Sequence, residues 1–395
     1  MKPELQKRIV DYIDQQLATY QDIAKDIHAR PETSNHEHYA CGRLAKQLIE
    51  EGFDTTIDVA GHPTGFDARY TTRKGPVIVF LAEYDALEGL GHGCGHNLFG
   101  ATSSLAGAAL KRVIDEIGGE VRVYGTPGEE GGENGSAKGS FVREGFFKDV
   151  DAALCVHPGD RHSPTIASLA NDPVDIVFHG KSSHAASAPE QGINALDALI
   201  QVYNGINALR QHLPSDVRIH GVITHGGTAA NIVPDLAKAR FYLRAVTRST
   251  LNTVYKKVEN IVQGAALQTG CTYEFGLFQN SVDNVVPTPL FDEVYRSHLE
   301  SFGQKFTQHQ GIGSSDVGNV SQVVPTLHPH IQISGTPIAA HSQAFKEASI
   351  SQTGLDSIAL GAKLLALSAL DLLLDPQLLQ AIKAQHAQEV AKQTT

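Results

Sequence analysis

The chain reads PVIVFLAEYDA over residues 76–86, LFGATSSLAGAALKRVI over 98–114 and EVRVYGTPGEE over 120–130. The first and third segments begin as short apolar runs, and the middle one has helical spacing with many small residues. Strand, closely packed helix and strand in this order are typical of a parallel or mixed sheet that is covered by helices. We therefore predict an α/β fold with a mixed, mostly parallel sheet flanked by helices.

Polar side chains stand where each of these strands ends. Glu83 and Asp85 follow the first strand, Glu129 and Glu130 follow the second, and His157 ends a third strand in the segment DAALCVHPG. In α/β sheets, ligands bind beyond the carboxyl ends of the strands. The placement of these residues supports a functional site at this edge of the sheet.

The character of the sequence changes near residue 171. Four segments of alternating polarity follow, which read PVDIVFHG, VRIHGVITHG, AKARFYLRA and CTYEFGLF, with helical stretches between them at 194–213 and 250–269. After about residue 281 the α/β pattern returns. We therefore predict a catalytic domain made of residues 1–170 and 282–395, with an inserted α+β domain at 171–281.

The composition restricts the class of protein. The formal net charge of −11 argues against nucleic acid or an anionic membrane as the main partner. Four cysteines are too few for a disulfide framework in 395 residues, and the N-terminal residues lack an apolar signal core. We predict a soluble, cytoplasmic protein, in which the apolar run 358–374 is a packed helix and the polar tail after about residue 385 is frayed.

The segment GHGCGHN (91–97) places the thiol of Cys94 two residues before the imidazole of His96. Glycines beside both residues let the backbone bend tightly enough for the two side chains to converge. Thiolate and imidazole are both ligands of zinc-like ions. A free cysteine is more often a small core residue, but core packing does not require flanking glycines. We therefore interpret this segment as a metal-binding motif.

The other candidate residues carry weaker signals. Adjacent glutamates such as Glu129 and Glu130 are common on surfaces, but this pair follows an apolar strand and precedes two glycines. His157 ends a strand and precedes a proline, whereas His341 has no distinctive surroundings. The positions of the glutamate pair and of His157 favour function over a purely structural role.

The ordered motifs resemble those of the dinuclear metallopeptidases and amidohydrolases of the aminoacylase, glutamate carboxypeptidase and succinyl-diaminopimelate desuccinylase family. The Cys-Gly-His form resembles its amidohydrolase branch, and GHGCGHNLFG is most similar to the aminobenzoyl-glutamate hydrolase and dipeptidase-like members. The resemblance covers nearly the whole chain and implies that the inserted domain is a ferredoxin-like, four-stranded lid and dimerisation domain. Asn97 departs from the aspartate of many branch members, which weakens any transfer of their substrate preference.

The resemblance implies a role for each matching residue. The implied metal ligands are Cys94, His96, Glu130, His157 and His341. Glu129 would be the general base, and Asp85 would orient a ligand without binding metal itself. The implied cofactors are two divalent metal ions per subunit; the ligand types fit zinc, with manganese, cobalt or nickel as alternatives.

Three residues of the inserted domain would bind substrate. His184, in HGKSSHAASAPEQG, would reach the active site of the partner subunit in a homodimer and stabilise the tetrahedral oxyanion, which is a catalytic role. Asn231 and Arg244 would hold a substrate carboxylate. No role is predicted for His92, Ser315 or Asp316.

Three hypotheses about function follow. The leading one is metal-dependent hydrolysis of an amide bond in an N-acyl or N-aroyl amino acid, or in a small dipeptide, with a free carboxylate. A cysteine hydrolase that uses Cys94 with His157 would leave the paired glutamates unexplained. A catalytically inactive protein that binds metal or a small molecule on the same fold would have no need of Glu129 beside the ligands.

Overall fold

A computed structural model describes residues 2–307 and 313–393 of the chain. The chain divides into two compact units. The first combines Met1–Ala167 with Val285–Thr395, and the second is the insertion Ser168–Asn284.

The helices and strands are numbered in chain order. The helices are α1 (Lys2–His28), α2 (His38–Glu50), α3 (His96–Ile117), α4 (Ala137–Arg143), α5 (Ala195–Leu209), α6 (Arg248–Thr269), α7 (Pro289–Ser301), α8 (Val317–Ser321), α9 (Gln343–Ala348), α10 (Gln352–Leu374) and α11 (Pro376–Lys392). The strands are β1 (Asp54–Val59), β2 (His62–Thr71), β3 (Val77–Ala82), β4 (Glu120–Gly125), β5 (Ala152–Leu154), β6 (His157–Gly159), β7 (Ala170–His179), β8 (Arg218–His225), β9 (Leu236–Ala245), β10 (Thr272–Leu277), β11 (Thr326–Leu327) and β12 (His330–Gln332).

The first unit is built on a six-stranded sheet with the strand order β1-β2-β4-β3-β5-β11. Strand β3 runs parallel to β4 and β5, and β11 runs parallel to β5, whereas β2 is antiparallel to both of its neighbours. Strands β6 and β12 form a separate parallel pair. The predicted fold class, a mixed and mostly parallel sheet flanked by helices, is confirmed.

Helix α3 packs close to the sheet because of its glycines. A Cβ atom at Gly107 would lie 2.5 Å from a methyl group of Val123, and one at Gly100 would lie 2.7 Å from the carbonyl oxygen of Glu83. Both distances are too short for a real side chain. The close approach brings the first residue of the helix, His96, against the end of β3, where its ring contacts Asp85.

Helix α10 lies in the core of the first unit. Its length and composition would allow it to cross a membrane, but most of it is buried against α1, α3 and α7. It is therefore the packed helix that the sequence predicted. The prediction of a frayed tail after about residue 385 was wrong, because α11 extends to Lys392 and buries His386.

The second unit is an antiparallel sheet in the order β10-β7-β9-β8, on which α5 and α6 pack. The chain order β7-α5-β8-β9-α6-β10 is that of the ferredoxin-like fold. Local signals define its helices: the side chains of Asn194 and Thr247 accept hydrogen bonds from the first free N–H groups, and Gly270 ends α6 in the left-handed conformation. The inserted domain thus has the predicted four-stranded α+β architecture.

Candidate metal centre

His96 is fully buried at the first turn of α3. Gly95 turns the chain into the helix with φ of 79°, and a Cβ atom there would lie 2.9 Å from Pro158. The Nδ1 atom of His96 is 2.8 Å from Asp85 Oδ1. In the neutral ring, Nδ1 therefore carries the proton and donates it to Asp85, which leaves the lone pair of Nε2 for a ligand.

Asp85 uses its two carboxylate oxygens for two different residues. Oδ1 accepts from His96, and Oδ2 accepts the backbone N–H of Glu130 at 2.9 Å. The same carboxylate thus fixes the orientation of an imidazole and the backbone of the loop that carries both glutamates. Asp85 belongs to none of the metal-type donor groups found in the described residues, so its position is that of an orienting group.

Three groups of side chains in the described part of the chain bring donor atoms within 4.8 Å of one another. The groups are Cys94 with His96 and His157, Cys94 with Glu130 and His341, and Glu83 with His96 and Glu129. All five ligands implied by the resemblance fall in the first two groups, which share the thiol of Cys94. The structure therefore brings the five predicted ligands together.

The separations within these groups are those of ligands around one ion. Two atoms bound at about 2.0–2.3 Å from a tetrahedral ion lie about 3.3–3.6 Å apart. Cys94 Sγ lies 3.6 Å from His157 Nε2, and His341 Nε2 lies 3.4 Å from Glu130 Oε2. The buried Nε2 of His96 and Oε1 of Glu130 have no hydrogen-bond partner. These residues therefore fit divalent metal ions.

His341 joins the centre from the C-terminal part of the chain. Its backbone N–H donates to the carbonyl of Gly93 at 2.9 Å, which ties it to the glycine-rich loop. Its φ of 58° is left-handed, a conformation that costs a residue with a side chain about 1–2 kcal/mol. The side chain is 54% exposed, so within the first unit the centre is open to solvent on this side.

The two adjacent glutamates have opposite electrostatic surroundings. Burial and the carboxylates of Glu83 and Glu130 raise the pKa of Glu129 well above its usual value. Burial acts on Glu130 as well, but the hydrogen bond from His341 and the charge of His96 outweigh it and lower the pKa of Glu130 to about 2. Glu130 is thus held in the charged form that a metal ligand needs, whereas the surroundings of Glu129 are typical of a general acid–base group.

Cys94 lacks the surroundings of a nucleophilic thiol. Burial and the carboxylate of Glu130 raise the pKa of Cys94 well above its usual value, whereas a reactive cysteine needs a lowered pKa. A bound cation would instead deprotonate the thiol directly. The contact between Cys94 and His157 therefore favours shared metal binding over the cysteine-hydrolase hypothesis.

Comparison with known proteins identifies the family. Residues 173–270 match the peptidase dimerisation domain of the M20 family. The chain is 33% identical to the Xaa-Arg dipeptidase of Mus musculus, over 96% of this chain and 91% of that protein. The chain belongs to the M20 peptidase family.

A second relative and a solved structure agree with this assignment. The chain is 37% identical to a p-aminobenzoyl-glutamate hydrolase polypeptide of Escherichia coli K12, over 76% of this chain and 66% of that protein. The Bacillus subtilis YXEP protein, described as a dinuclear metal binding peptidase of the M20 family, has the same fold with a TM-score of 0.66 at 19% identity. That match covers 91% of this chain and 99% of the other. As an M20 protein, the chain is a metal-dependent hydrolase of C–N bonds.

A buried ion-pair network beside the M20 centre was not predicted from the sequence. Lys138 Nζ lies 2.8 Å from Glu83 Oε1 and 2.6 Å from Asp316 Oδ1, and all three side chains are fully buried. Glu83 directly follows β3, and this position marked it in the sequence as a candidate site residue. Nothing in the segment SAKGS marks Lys138 as buried, because its partners lie far away in the sequence.

Two further histidines lie beside His157. The ring centroids of His328 and His330 are 5.9 and 5.4 Å from that of His157. Burial lowers the pKa of His328 well below its usual value, and neighbouring histidines add to the effect. Both residues come from the segment HPH (328–330), whose spacing predicts two imidazoles close together. The sequence does not show that they lie beside His157.

The residues without a predicted role have structural contacts. His92 is buried and stacks on His28 with the ring centroids 5.9 Å apart, and it belongs to none of the three donor groups. Ser315 Oγ accepts the backbone N–H of Val317, and Asp316 belongs to the buried network described above. Asn97 donates through Nδ2 to the backbone carbonyl of Ser349 at 3.1 Å, a bond that an aspartate carboxylate could not make.

The structure brings two of the three predicted substrate-binding residues together. His184 pairs with Ile232, and the N–H of Ala185 donates to the carbonyl of Asn231. Arg244 stands at the opposite end of β9, paired with Asn171 of β7. The strand rises about 3.3 Å per residue, so the backbone of Arg244 lies about 25 Å from that of Leu236, at the end of β9 that follows Asn231. The two ends of β9 are therefore too far apart for one small substrate to span them.

Proposed function

We propose that this M20 enzyme hydrolyses the amide bond of an N-acyl or N-aroyl amino acid, or of a small dipeptide, with a free carboxylate. The observation that carries the proposal is the pair of donor groups that share Cys94, with a neighbouring glutamate, Glu129, that belongs to neither. The relatives named as a dipeptidase and an aminobenzoyl-glutamate hydrolase support this substrate class. A panel of dipeptides, acyl amino acids and aminobenzoyl-glutamate, assayed with and without a chelator, tests it directly.

The proposed cofactors are two divalent ions per subunit. The proposed ligands are Cys94, His96, Glu130, His157 and His341. Thiolate, imidazole and carboxylate together fit zinc, and manganese, cobalt and nickel are the alternatives. When bound, such ions lower the pKa of water and polarise a carbonyl oxygen. We propose that the enzyme acts in the cytoplasm, because its four cysteines are too few for the disulfide framework of many secreted proteins.

Glu129 is the proposed general base. Its Oε2 atom lies 4.0 Å from His96 Nε2, so its carboxylate faces the donor groups without belonging to the two that share Cys94. The carboxylate takes a proton from the attacking water and returns it to the nitrogen of the leaving amine. The raised pKa of Glu129 makes its carboxylate a better proton acceptor than an ordinary glutamate, as a general base needs.

His184 is the proposed donor to the oxyanion. Its Nδ1 atom accepts the backbone N–H groups of Ala186 and Ser187, both at 3.2 Å. The proton of the neutral ring therefore lies on Nε2, on an exposed side chain, as a hydrogen-bond donor needs. We propose that His184 and Asn231 act on substrate bound by the partner subunit, since Arg244 of the same chain stands at the end of β9 away from the segment that carries Asn231.

A homodimer through the second unit is the proposed assembly. Strand β8 is one of the two edge strands of its sheet, and the side chains of Val222 and Ile223 on it are 61% and 45% exposed. An exposed apolar edge strand is a template for pairing with another chain. The match of this unit to a peptidase dimerisation domain supports the same conclusion.

Val222→Asp should separate the dimer. Burying an unpaired carboxylate in the interface costs on the order of 3–5 kcal/mol, which weakens association by about a hundredfold or more. Hydrolysis should fall together with dimer content, because each site would lose His184 of the partner subunit, while the metal content stays unchanged. Sedimentation velocity and activity at matched concentrations measure both effects.

The matched control is Leu267→Asp. Leu267 is 80% exposed on α6 of the same unit, outside the edge strand, so the variant should remain dimeric and active. A wild-type monomer with full activity, or a monomeric Val222→Asp variant with full activity, would contradict the shared site.

Arg244→Ala should weaken substrates that carry a free carboxylate. A hydrogen bond to a charged partner contributes about 1.5–3 kcal/mol, so kcat/KM should fall by about 10–150-fold. Substrates whose carboxylate is blocked as an amide should be hydrolysed about equally by the variant and the wild type. Arg240→Ala is the control on the same strand, because Arg240 is paired with Asp175 at the surface. An equal loss for free and blocked substrates would contradict the role of Arg244.

A further inference from the structure

A buried carboxylate outside the five proposed ligands faces the metal-binding atom of His96. Glu83 Oε2 lies 3.2 Å from His96 Nε2, and both side chains are fully buried. The other oxygen of Glu83 is 2.8 Å from Lys138 Nζ. Glu83 is therefore held on one side by an ammonium group and presents its second oxygen to the centre.

The short contact between Glu83 and His96 has the geometry of two ligands of one metal ion. The Nδ1–H of His96 donates to Asp85, so in the neutral ring, the form that binds metal, Nε2 presents a lone pair, as does Oε2 of Glu83. Two such atoms repel each other in a buried site unless a proton or a metal ion lies between them. A nitrogen and an oxygen bound to one tetrahedral ion are expected about 3.3 Å apart, close to the separation observed.

The local charge balance leads to the same conclusion. Lys138 also contacts Asp316 at 2.6 Å, so two buried carboxylates share one ammonium group. One negative charge remains without a partner in this network. Because Lys138 contacts Oε1 of Glu83 and Oδ1 of Asp316, the remaining charge of Glu83 is directed through Oε2 towards His96.

We propose that Glu83 is a sixth metal ligand, bound through Oε2 to the same ion as His96, and that Lys138 and Asp316 position it. The inference rests on the proposed function, since it concerns the ions of the same centre. Lys138 occupies Oε1 and so restricts Glu83 to binding through one oxygen. Asp316 holds Lys138 in place through its side chain and through the backbone N–H of Lys138, which donates to Oδ2 at 3.1 Å.

The test is metal binding by Glu83→Gln, which keeps the shape of the side chain and removes its charge. The metal-free protein is titrated with cobalt(II) or zinc, the stoichiometry is measured by elemental analysis, and the visible spectrum of the cobalt form reports the ligands. Loss of a group that only orients a metal ligand weakens metal binding by about 10–100-fold. We expect Glu83→Gln to weaken the binding of one of the two ions by at least this factor and to shift the absorption bands of the cobalt form. Glu83→Asp, which keeps the charge but withdraws the oxygen, should show an intermediate loss.

The control is Glu51→Gln, which removes another buried carboxylate of the first unit. Glu51 pairs with Arg112, so the variant should lose stability but keep both ions and the wild-type cobalt spectrum. Lys138→Met should keep the ions but change the cobalt spectrum, because Glu83 is then free to bind with both oxygens.

Two outcomes would overturn the inference. In one, Glu83→Gln binds two ions with wild-type affinity and an unchanged cobalt spectrum and differs only in thermal stability; Glu83 is then purely structural. If Glu83→Gln fails to fold, Glu83→Asp with wild-type affinity and spectrum leads to the same conclusion. A wild-type protein that binds no metal would instead contradict the proposed function itself, so the two failures are distinguishable.

Discussion

Glu129→Gln should lower kcat/KM by about two to four orders of magnitude, which is the usual contribution of a general acid–base group. The amide keeps the size of the side chain but cannot take a proton from water. Because Glu129 is not one of the proposed ligands, both ions should remain bound. Steady-state kinetics with a dipeptide substrate and elemental analysis of the same preparation measure the two quantities.

Two neighbouring glutamates are the matched controls for this prediction. Glu130→Gln should lose metal, since its carboxylate is the charged partner of His341. Glu133→Gln, at an exposed position of the same loop, should change neither activity nor metal content. Near-normal turnover by Glu129→Gln would place the general base elsewhere.

Cys94→Ala should abolish activity through loss of metal. The thiol is common to both of the proposed ligand groups, so its removal should weaken both ions at once rather than one of them. Treatment of the wild type with a chelator should have the same effect, and added metal should restore the treated wild type. His96→Ala should also lower the metal content, but Cys94→Ala is the more telling variant because His96 has additional buried contacts.

Cys155→Ala is the matched control for the loss of a buried thiol. Cys155 is fully buried, donates to the carbonyl of Leu327 and belongs to none of the three donor groups, so its replacement should lower stability and leave the metal content unchanged. Full metal occupancy in Cys94→Ala would disprove the role of the Cys-Gly-His motif.

The sequence predicted the elements that have a clear apolar pattern. Strands β3, β4 and β5 and helix α3 are buried on both sides or along a broad face, so their apolar residues form recognisable runs. The hairpin of β1 and β2 was not predicted. Strand β1 is mostly exposed and has no apolar face, so its pairing with β2 leaves little trace in the sequence.

The candidate site was predicted where a motif is local and missed where it is spread through the fold. Cys94 and His96 lie two residues apart between glycines, and the structure places them among the other predicted ligands. Lys138 was missed because a buried ammonium is explained only by Glu83 and Asp316, which belong to distant segments. The position of Arg244 at the far end of β9 could not be predicted from the sequence either, because it depends on the register of β7 and β9.

The backbone hydrogen bond between His341 and Gly93 joins two residues that lie on either side of the inserted domain in the sequence, so the order of synthesis on the ribosome affects when the metal centre can form. The first four proposed ligands emerge before residues 168–284, and the fifth emerges after them. A nascent chain that has completed only its first part can present Cys94, His96, Glu130 and His157, but the ring of His341 arrives when the insertion has already left the ribosome. Because domains fold as units during synthesis, the inserted domain can fold before the metal centre is closed.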